Sequence, residues 1–196
     1  VNARIAIIPA RGNSRRIYKK NIALFHGKPI IAYSIETALA CNLFDAVIVS
    51  TDSQEIADIA QIYGAVALMR DAEHSEDHVG TQDVARNVLD ELKENGHAFA
   101  YACVIYPTAP MMTPGDLIAG YTEIEASGAG FVMSVGDAPL ADAGQWYWGV
   151  PDYFGVDPLI STRTTMYPIP KERVCDVNHP DDWAQAEAMY KKWKGI

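Results

Sequence analysis

The stretch ARIAIIPARGNSRRIYKKN, residues 3–21, decides the fold. ARIAII (3–8) is a nearly continuous apolar, β-branched run, the pattern of a strand buried on both faces. Pro9 to Asn21 is polar and cationic and reads as a loop. Gly12 and Asn13 tolerate positive φ and mark a turn within it. Around that turn stand Arg11, Arg15, Arg16, Lys19 and Lys20.

The strand–loop–helix pattern then repeats. Pro29 can occupy the first turn of a helix, and Ile30, Ile31, Ile35, Ala38 and Leu39 form an apolar stripe behind it. AVIVST (46–51) is a second strand. Asp52 with Glu55 reads as a capping box for a helix that Gly64 ends. A short strand over 66–69 leads into the polar loop RDAEHSEDHVG, and a helix is expected over 81–95 with Val84, Val88, Leu89 and Leu92 inward. YACVIY (101–106) and GFVMSV (130–135) are further strands, separated by a helix that Thr113-Pro114-Gly115-Asp116 starts and Gly128 ends. Continuous apolar strands alternating with helices predict an α/β fold with a mostly parallel sheet covered on both faces. In such a sheet ligands bind at the carboxyl ends of the strands, which is where the cationic loop would lie.

The last third reads differently. QWYWG (145–149) is an aromatic strand, MYPIP (166–170) is broken by prolines, and RVCDV (173–177) is a strand. A closing helix starts at Pro180 with Asp181 and Asp182 in its first turn and has Lys191, Lys192 and Lys194 at its end, complementing the helix dipole. At 196 residues, with no repeat or linker, one domain is expected.

Charge narrows the function. Residues 1–35 carry seven basic side chains and no acidic one, although the whole chain has a formal charge of −9. A generally acidic body argues against nonspecific binding to nucleic acid or a membrane surface. One concentrated basic segment on such a body fits a small, highly charged anion, or else a solvated basic loop. Cys41, Cys103 and Cys175 have no metal-type spacing and read as reduced thiols. No apolar run reaches membrane-spanning length and no signal-like segment opens the chain, so a cytoplasmic location is expected. The basic loop contains neither a Walker A sequence nor a dinucleotide fingerprint. Its turn could cradle phosphate with backbone N–H groups, and its arginines and lysines could neutralise a polyphosphate. No histidine pairs with a Ser or Cys nucleophile, so no covalent intermediate is expected.

IPARGNSRRI-x-x-KN resembles the signature loop, IPARGGSKxI-x-x-KN, of the cytidylyltransferases that activate sialic-acid-like sugars. GKPIIAYSIETAL, VIVSTDSQEIADIA, the DVARNVL helix, YPTAP and DVNHPDDW resemble later segments of that family, in order. DAGQWYWG and YPTAP are most similar to its pseudaminic-acid branch; sialic, legionaminic or another ulosonic acid is the alternative acceptor. The resemblance covers nearly the whole chain. It implies a Rossmann-like, three-layer nucleotide-diphospho-sugar transferase fold. It also implies transfer of CMP from CTP to the anomeric hydroxyl of a nine-carbon α-keto acid sugar, with Mg²⁺ and release of pyrophosphate.

By match to the family, Arg11 and Lys20 would contact the triphosphate, and Arg15 stands in the family's lysine position. Ala10, Gly12, Asn13 and Ser14 would supply nucleotide contacts, Asn21 would hold phosphate or ribose, and Arg70 would lie beside the cytidine with Asp83 nearby. Asp176 would be a metal ligand. The family's second tail aspartate is Asn178 here, which reads either as a neutral ligand or as a cap for the helix at Pro180. Asp142, Gln145, Tyr106 and Thr108 are the candidates for sugar contacts. A further departure lies at residues 135–142, where the family carries a dimerisation arm of a few dozen residues. The arm is either absent or missing from the chain as given. Omission is favoured because both flanks are intact, and a homodimer is expected by analogy. These departures also leave room for a CTP-binding relative with impaired catalysis.

Overall fold

The structure, a computed structural model, describes residues 2–14, 16–71, 78–137 and 141–196. In chain order its strands are β1 (Arg4–Pro9), the two-residue pair β2 (Leu24–Phe25) and β3 (Lys28–Pro29), β4 (Ala46–Thr51), β5 (Val66–Met69), β6 (Tyr101–Ile105), β7 (Phe131–Gly136), β8 (Asp142–Gly149) and β9 (Thr164–Ile169). The helices are α1 (Ile30–Ala40), α2 (Gln54–Ile62), α3 (Thr81–Glu94), α4 (Pro114–Ser127) and α5 (Pro180–Lys194).

Seven strands form one sheet in the order β5-β4-β1-β6-β8-β7-β9. The apolar run 3–8 lies at its centre: Ile7 sits opposite Ile48 of β4 on one side and Val104 of β6 on the other, both in parallel register. The chain winds outward from β1 through β4 to β5, then returns across β1 to β6. The reversal creates a crevice between β1 and β6 at their carboxyl ends, the usual ligand position in such sheets.

Pleating sends alternate residues to opposite faces. Ala6, Ile8, Val49 and Ile105 pack with Ile31, Ile35, Ile56 and Leu117 of α1, α2 and α4. Ile5, Ile7, Ile48 and Val104 pack with Val88 and Leu89 of α3 and with Phe154. The result is three layers, helix–sheet–helix. Trp146 and Trp148 go to the first face and Tyr147 to the second, as strand alternation predicts, and all three are buried. Burying each of them contributes about 2–3 kcal/mol.

The mostly parallel sheet expected from the sequence is present with one strand reversed, and the sequence reading needs correction in three other places. β8 runs antiparallel to both β6 and β7, so the sheet is mixed on one side. MYPIP is not a break but part of β9, paired in parallel with β7. β9 is the last strand in the sheet order, where Pro168 costs no ladder bond on the outer side. Residues 173–177 are not a strand. Lys171–Arg173 is a 3-10 turn, and the Arg173 carbonyl is taken at 2.6 Å by Gln145 Nε2 rather than by a neighbouring strand. Finally, Asp52 does not cap α2; the N-cap is Ser53, without a side-chain cap bond.

Other local signals are realised. Thr113 and Asp116 exchange reciprocal bonds at the start of α4, and Gly128 ends it at φ 66°. Gly64 follows α2 at φ 91°. All three cysteines are free thiols. Among the described residues no helix is long and apolar enough to cross a membrane.

Candidate active site

The crevice opens into a cleft of about 400 Å³. Its basic wall comes from the β1–α1 connection, through Arg11, Ser14, Arg16, Lys20 and Asn21. The loop is held from inside and from below. Asn21, 5% exposed, donates its amide to the Arg11 carbonyl at 2.9 Å. The Gly12 N–H donates to Asp52 Oδ1 at 2.7 Å. A Cβ on Gly12 would stand 2.8 Å from the Ser53 Cβ, so glycine lets the loop lie flush on the β4–α2 turn.

Arg70 joins this wall from the end of β5, its backbone N–H fixed to the Thr51 carbonyl at 2.7 Å. Burial lowers its pKa from the ordinary value; Asp52 opposes that and Arg11 adds to it. Among the described residues its buried Nε has no hydrogen-bond partner. Lys20 is also lowered, first by burial, with Asp176 pulling the other way. Its Nζ donates to the Val177 carbonyl at 2.6 Å and so ties the basic loop to the facing wall.

That facing wall is acidic. Asp142 begins β8, and because β8 is antiparallel its start lies at the same edge as the ends of β1 and β6. Asp142 Oδ1 accepts from the Gly144 N–H at 2.8 Å. Gly144 has φ +61°, and a Cβ there would lie 3.2 Å from Asp176 Oδ1. The cleft walls and then Asp176 raise the Asp142 carboxyl above the ordinary range, against the Gly144 hydrogen bond. Asn178 does not cap α5. The Asp182 carboxylate accepts from the Asn178 and His179 N–H groups, leaving the Asn178 side chain to donate to Asp176 Oδ2 at 2.5 Å.

The floor is made by Tyr106, Pro107 and Thr108 after β6 and by the start of α3, where Thr81 bonds the Tyr147 hydroxyl at 2.8 Å. Burial pushes Tyr106 up to about 12, so its hydroxyl stays protonated.

The cleft therefore brings together ten of the sequence-predicted residues: Arg11, Ser14, Lys20, Asn21, Arg70, Tyr106, Thr108, Asp142, Asp176 and Asn178. Others lie elsewhere. Ala10 is fully buried beneath the loop, and Gly12 faces Asp52. Asn13 is not among the lining residues. Asp83 accepts from the Gly80 N–H at 3.1 Å and so serves the start of α3. Gln145 is 3% exposed and its amide is turned to Arg173, away from the lining. Arg15 lies outside the described residues. Arg16 and Thr81 line the cleft although no motif singled them out; Thr81, the first residue of a helix opposite β6, was the findable one.

The chemistry of a divalent cation fits the acidic wall. Asp176, Asp142 and the amide oxygen of Asn178 are oxygen donors only, the set a hard cation prefers. Two carboxylates and a neutral amide would make a modest site, and among the described residues no group of three or more His, Cys, Asp or Glu is placed to hold a metal ion.

Comparison with known proteins gives this geometry a family. The cytidylyltransferase profile matches residues 5–139, which run from β1 through β7 and carry the whole basic wall. The chain belongs to the cytidylyltransferase family. Over 222 aligned positions it is 29% identical to a pseudaminic acid cytidylyltransferase of Campylobacter jejuni, covering 95% of this chain and 96% of that one. It is 36% identical over 146 positions to a CMP-N,N'-diacetyllegionaminic acid synthase of Legionella pneumophila, covering 72% of this chain and 60% of that one. Among solved structures, a CMP:2-keto-3-deoxy-manno-octonic acid synthetase complexed with CTP superposes with a TM-score of 0.75 at 16% identity, over 97% of this chain and 99% of that one. A Mycobacterium tuberculosis protein in complex with manganese superposes at 0.69 with 13% identity, over 95% of this chain and 98% of that one. These two establish the fold of this cytidylyltransferase, three layers around a mostly parallel sheet.

Proposed function

We propose that this cytidylyltransferase transfers CMP from CTP to the anomeric hydroxyl of pseudaminic acid. The observation that carries the reading is the division of one cleft into a basic wall and an acidic wall across the sheet's switch point, in a chain aligned nearly end to end with a pseudaminic acid enzyme. The acceptor oxygen bonds to the α-phosphorus, the bond from that phosphorus to the β-phosphate oxygen breaks, and pyrophosphate leaves as the hydroxyl proton is released. Such a transfer needs positioning and charge neutralisation more than covalent help.

Each wall has its part. Arg11, Arg16 and Lys20 face the triphosphate and balance charge on the departing pyrophosphate. Ser14 and Asn21 complete the nucleotide contacts, Asn21 chiefly by fixing the Arg11 backbone. Arg70 holds the nucleotide from the β5 side. Tyr106, Thr108 and Asp142 orient the acceptor. Asp176, Asn178 and Asp142 would hold Mg²⁺, which when bound supplies Lewis-acid neutralisation of phosphate charge. A manganese-bound fold neighbour supports a divalent cation. We further propose a cytoplasmic homodimer. The alignment with the C. jejuni relative spans 222 positions, more than the 196 residues of this sequence, so the relative carries residues without a counterpart here. We assign these to a dimerisation arm between β7 and β8 that is absent or omitted from this sequence, with omission favoured.

The test is pyrophosphate release from CTP and Mg²⁺ with pseudaminic, legionaminic and N-acetylneuraminic acids in parallel. Pseudaminic acid is expected to give the highest kcat/KM. Turnover only with another acid would overturn the acceptor assignment, and CTP binding without turnover on any acid would favour an impaired relative.

A further inference from the structure

Asp52 is the carboxylate that the sequence misread. It stands where a helix cap is expected, yet α2 begins at Ser53 without it. Its oxygen reaches instead across 40 residues of sequence to the Gly12 N–H, at 2.7 Å. Gly12 follows Arg11, so this bond fixes the loop directly beside the first phosphate-facing cation. Ser53 seals the contact from below, since no Cβ fits on Gly12.

A second link runs to Arg70. The Arg70 backbone is fixed to the Thr51 carbonyl, next to Asp52. Burial is the largest influence on the Arg70 guanidinium and lowers its pKa; Asp52 is the carboxylate that counters it, while Arg11 adds to it. Asp52 therefore stands between two arginines that repel each other, bonded to the loop of one and electrostatically coupled to the other.

A carboxylate in this position is unexpected if it acts only by charge. Near a bound triphosphate it repels, and removing it should tighten CTP. Its hydrogen bond argues the opposite, because a freed loop loses the geometry that aims Arg11.

We propose that Asp52 is a positioning residue for CTP: it sets the basic loop, and with it Arg11, through its hydrogen bond to the Gly12 N–H. This rests on the cleft being the CTP site, as proposed above. The role belongs to the nucleotide half of the reaction, so the acceptor sugar should not sense it.

The two routes separate by variant. Asp52→Ala removes the bond and the charge, whereas Asp52→Asn keeps an acceptor oxygen of the same reach and loses only the charge. CTP affinity is measured by calorimetry on the full chain with Mg²⁺, alongside KM for CTP and for the acceptor. Asp52→Ala is expected to weaken CTP at least tenfold with the acceptor KM unchanged, and Asp52→Asn to stay within threefold of the parent. Asp52→Ser, too short to reach Gly12, serves the same comparison if the alanine variant melts early. CTP binding as tight as or tighter than the parent in Asp52→Ala would overturn the proposal. So would an asparagine variant as weak as alanine, or a parallel rise of both KM values. A parent protein that does not bind CTP at all would overturn the site assignment itself, and the proposal with it.

Discussion

The two walls of the cleft are built in opposite ways. The basic wall is almost one continuous segment: Arg11 to Asn21 follows β1 directly, and only Arg70 arrives from elsewhere. The acidic wall is assembled from distant pieces, Asp142 from the start of an antiparallel strand and Asp176 with Asn178 from an irregular loop before α5. A local wall depends on its own loop geometry. An assembled wall depends on whatever pins its pieces, and one such pin here is Arg173, which accepts from Gln145 of β8 and donates to Asp116 of α4.

The largest effect is expected on the local wall. Arg11→Ala removes a cation that lines the cleft and to which the proposed function gives a triphosphate contact, and loss of one such contact typically costs on the order of 10²–10³ in rate. The expected result is a fall of that size in kcat/KM for CTP with the fold retained, which a thermal melt checks. Unchanged kinetics would place the basic loop outside the active site.

The assembled wall should fail through stability instead. Arg173 and Asp116 form a buried pair, with 14% and 8% of their side chains exposed and a second bond from Nη2 at 2.9 Å. Burial pushes the Asp116 carboxyl up, but the hydrogen bonds from Arg173 and Thr113 outweigh it, and its pKa lies below the ordinary value. Asp116→Asn leaves the Arg173 guanidinium buried without a counter-charge, which costs about 3 kcal/mol or more. The pH dependence has a definite sign. A depressed folded pKa contributes stability above the unfolded value of about 3.9, and that contribution disappears as pH falls through the folded value. The parent and the variant should therefore differ most at neutral pH and converge below about pH 4. Denaturant unfolding across pH measures this, and a pH-independent gap would mean that the pair does not carry the effect.

The same contrast explains what the sequence revealed. The cores of β1, β4 and β6, the start of α4 and the basic loop were legible because each is encoded within a few residues. Apolar continuity marks a central strand, and Thr113 with Asp116 marks a helix start. The antiparallel direction of β8 was not legible, because it depends on which neighbour the aromatic strand meets. Residues 173–177 read as a strand because apolar alternation cannot show that Gln145 takes the Arg173 carbonyl. Asp52 misled for a related reason: the capping pattern is local, and its real partner Gly12 is far away in sequence. The family motifs named most of the residues that line the cleft; they also named Gln145 and Asp83, whose side chains bond the Arg173 carbonyl and the Gly80 N–H, bonds that a linear motif does not reveal.

The smallest effect tests whether position or mere charge makes the basic wall work. Lys19 and Lys20 are adjacent, but the 3-10 turn that starts at Lys20 sends them apart. Lys20 lines the cleft and bonds Val177. Lys19 is exposed and pairs with Glu55 of α2, an arrangement that water and salt screen strongly. It also occupies the left-handed region at φ 47°, which glutamine enters at no greater cost than lysine. Lys19→Gln should therefore leave KM for CTP within twofold of the parent, at low salt as well as high. Lys20→Gln, identical in formal charge change one residue later, should raise it at least tenfold. Equal losses in the two variants would mean that the loop acts as a diffuse basic patch, and the case for a built triphosphate wall would fall.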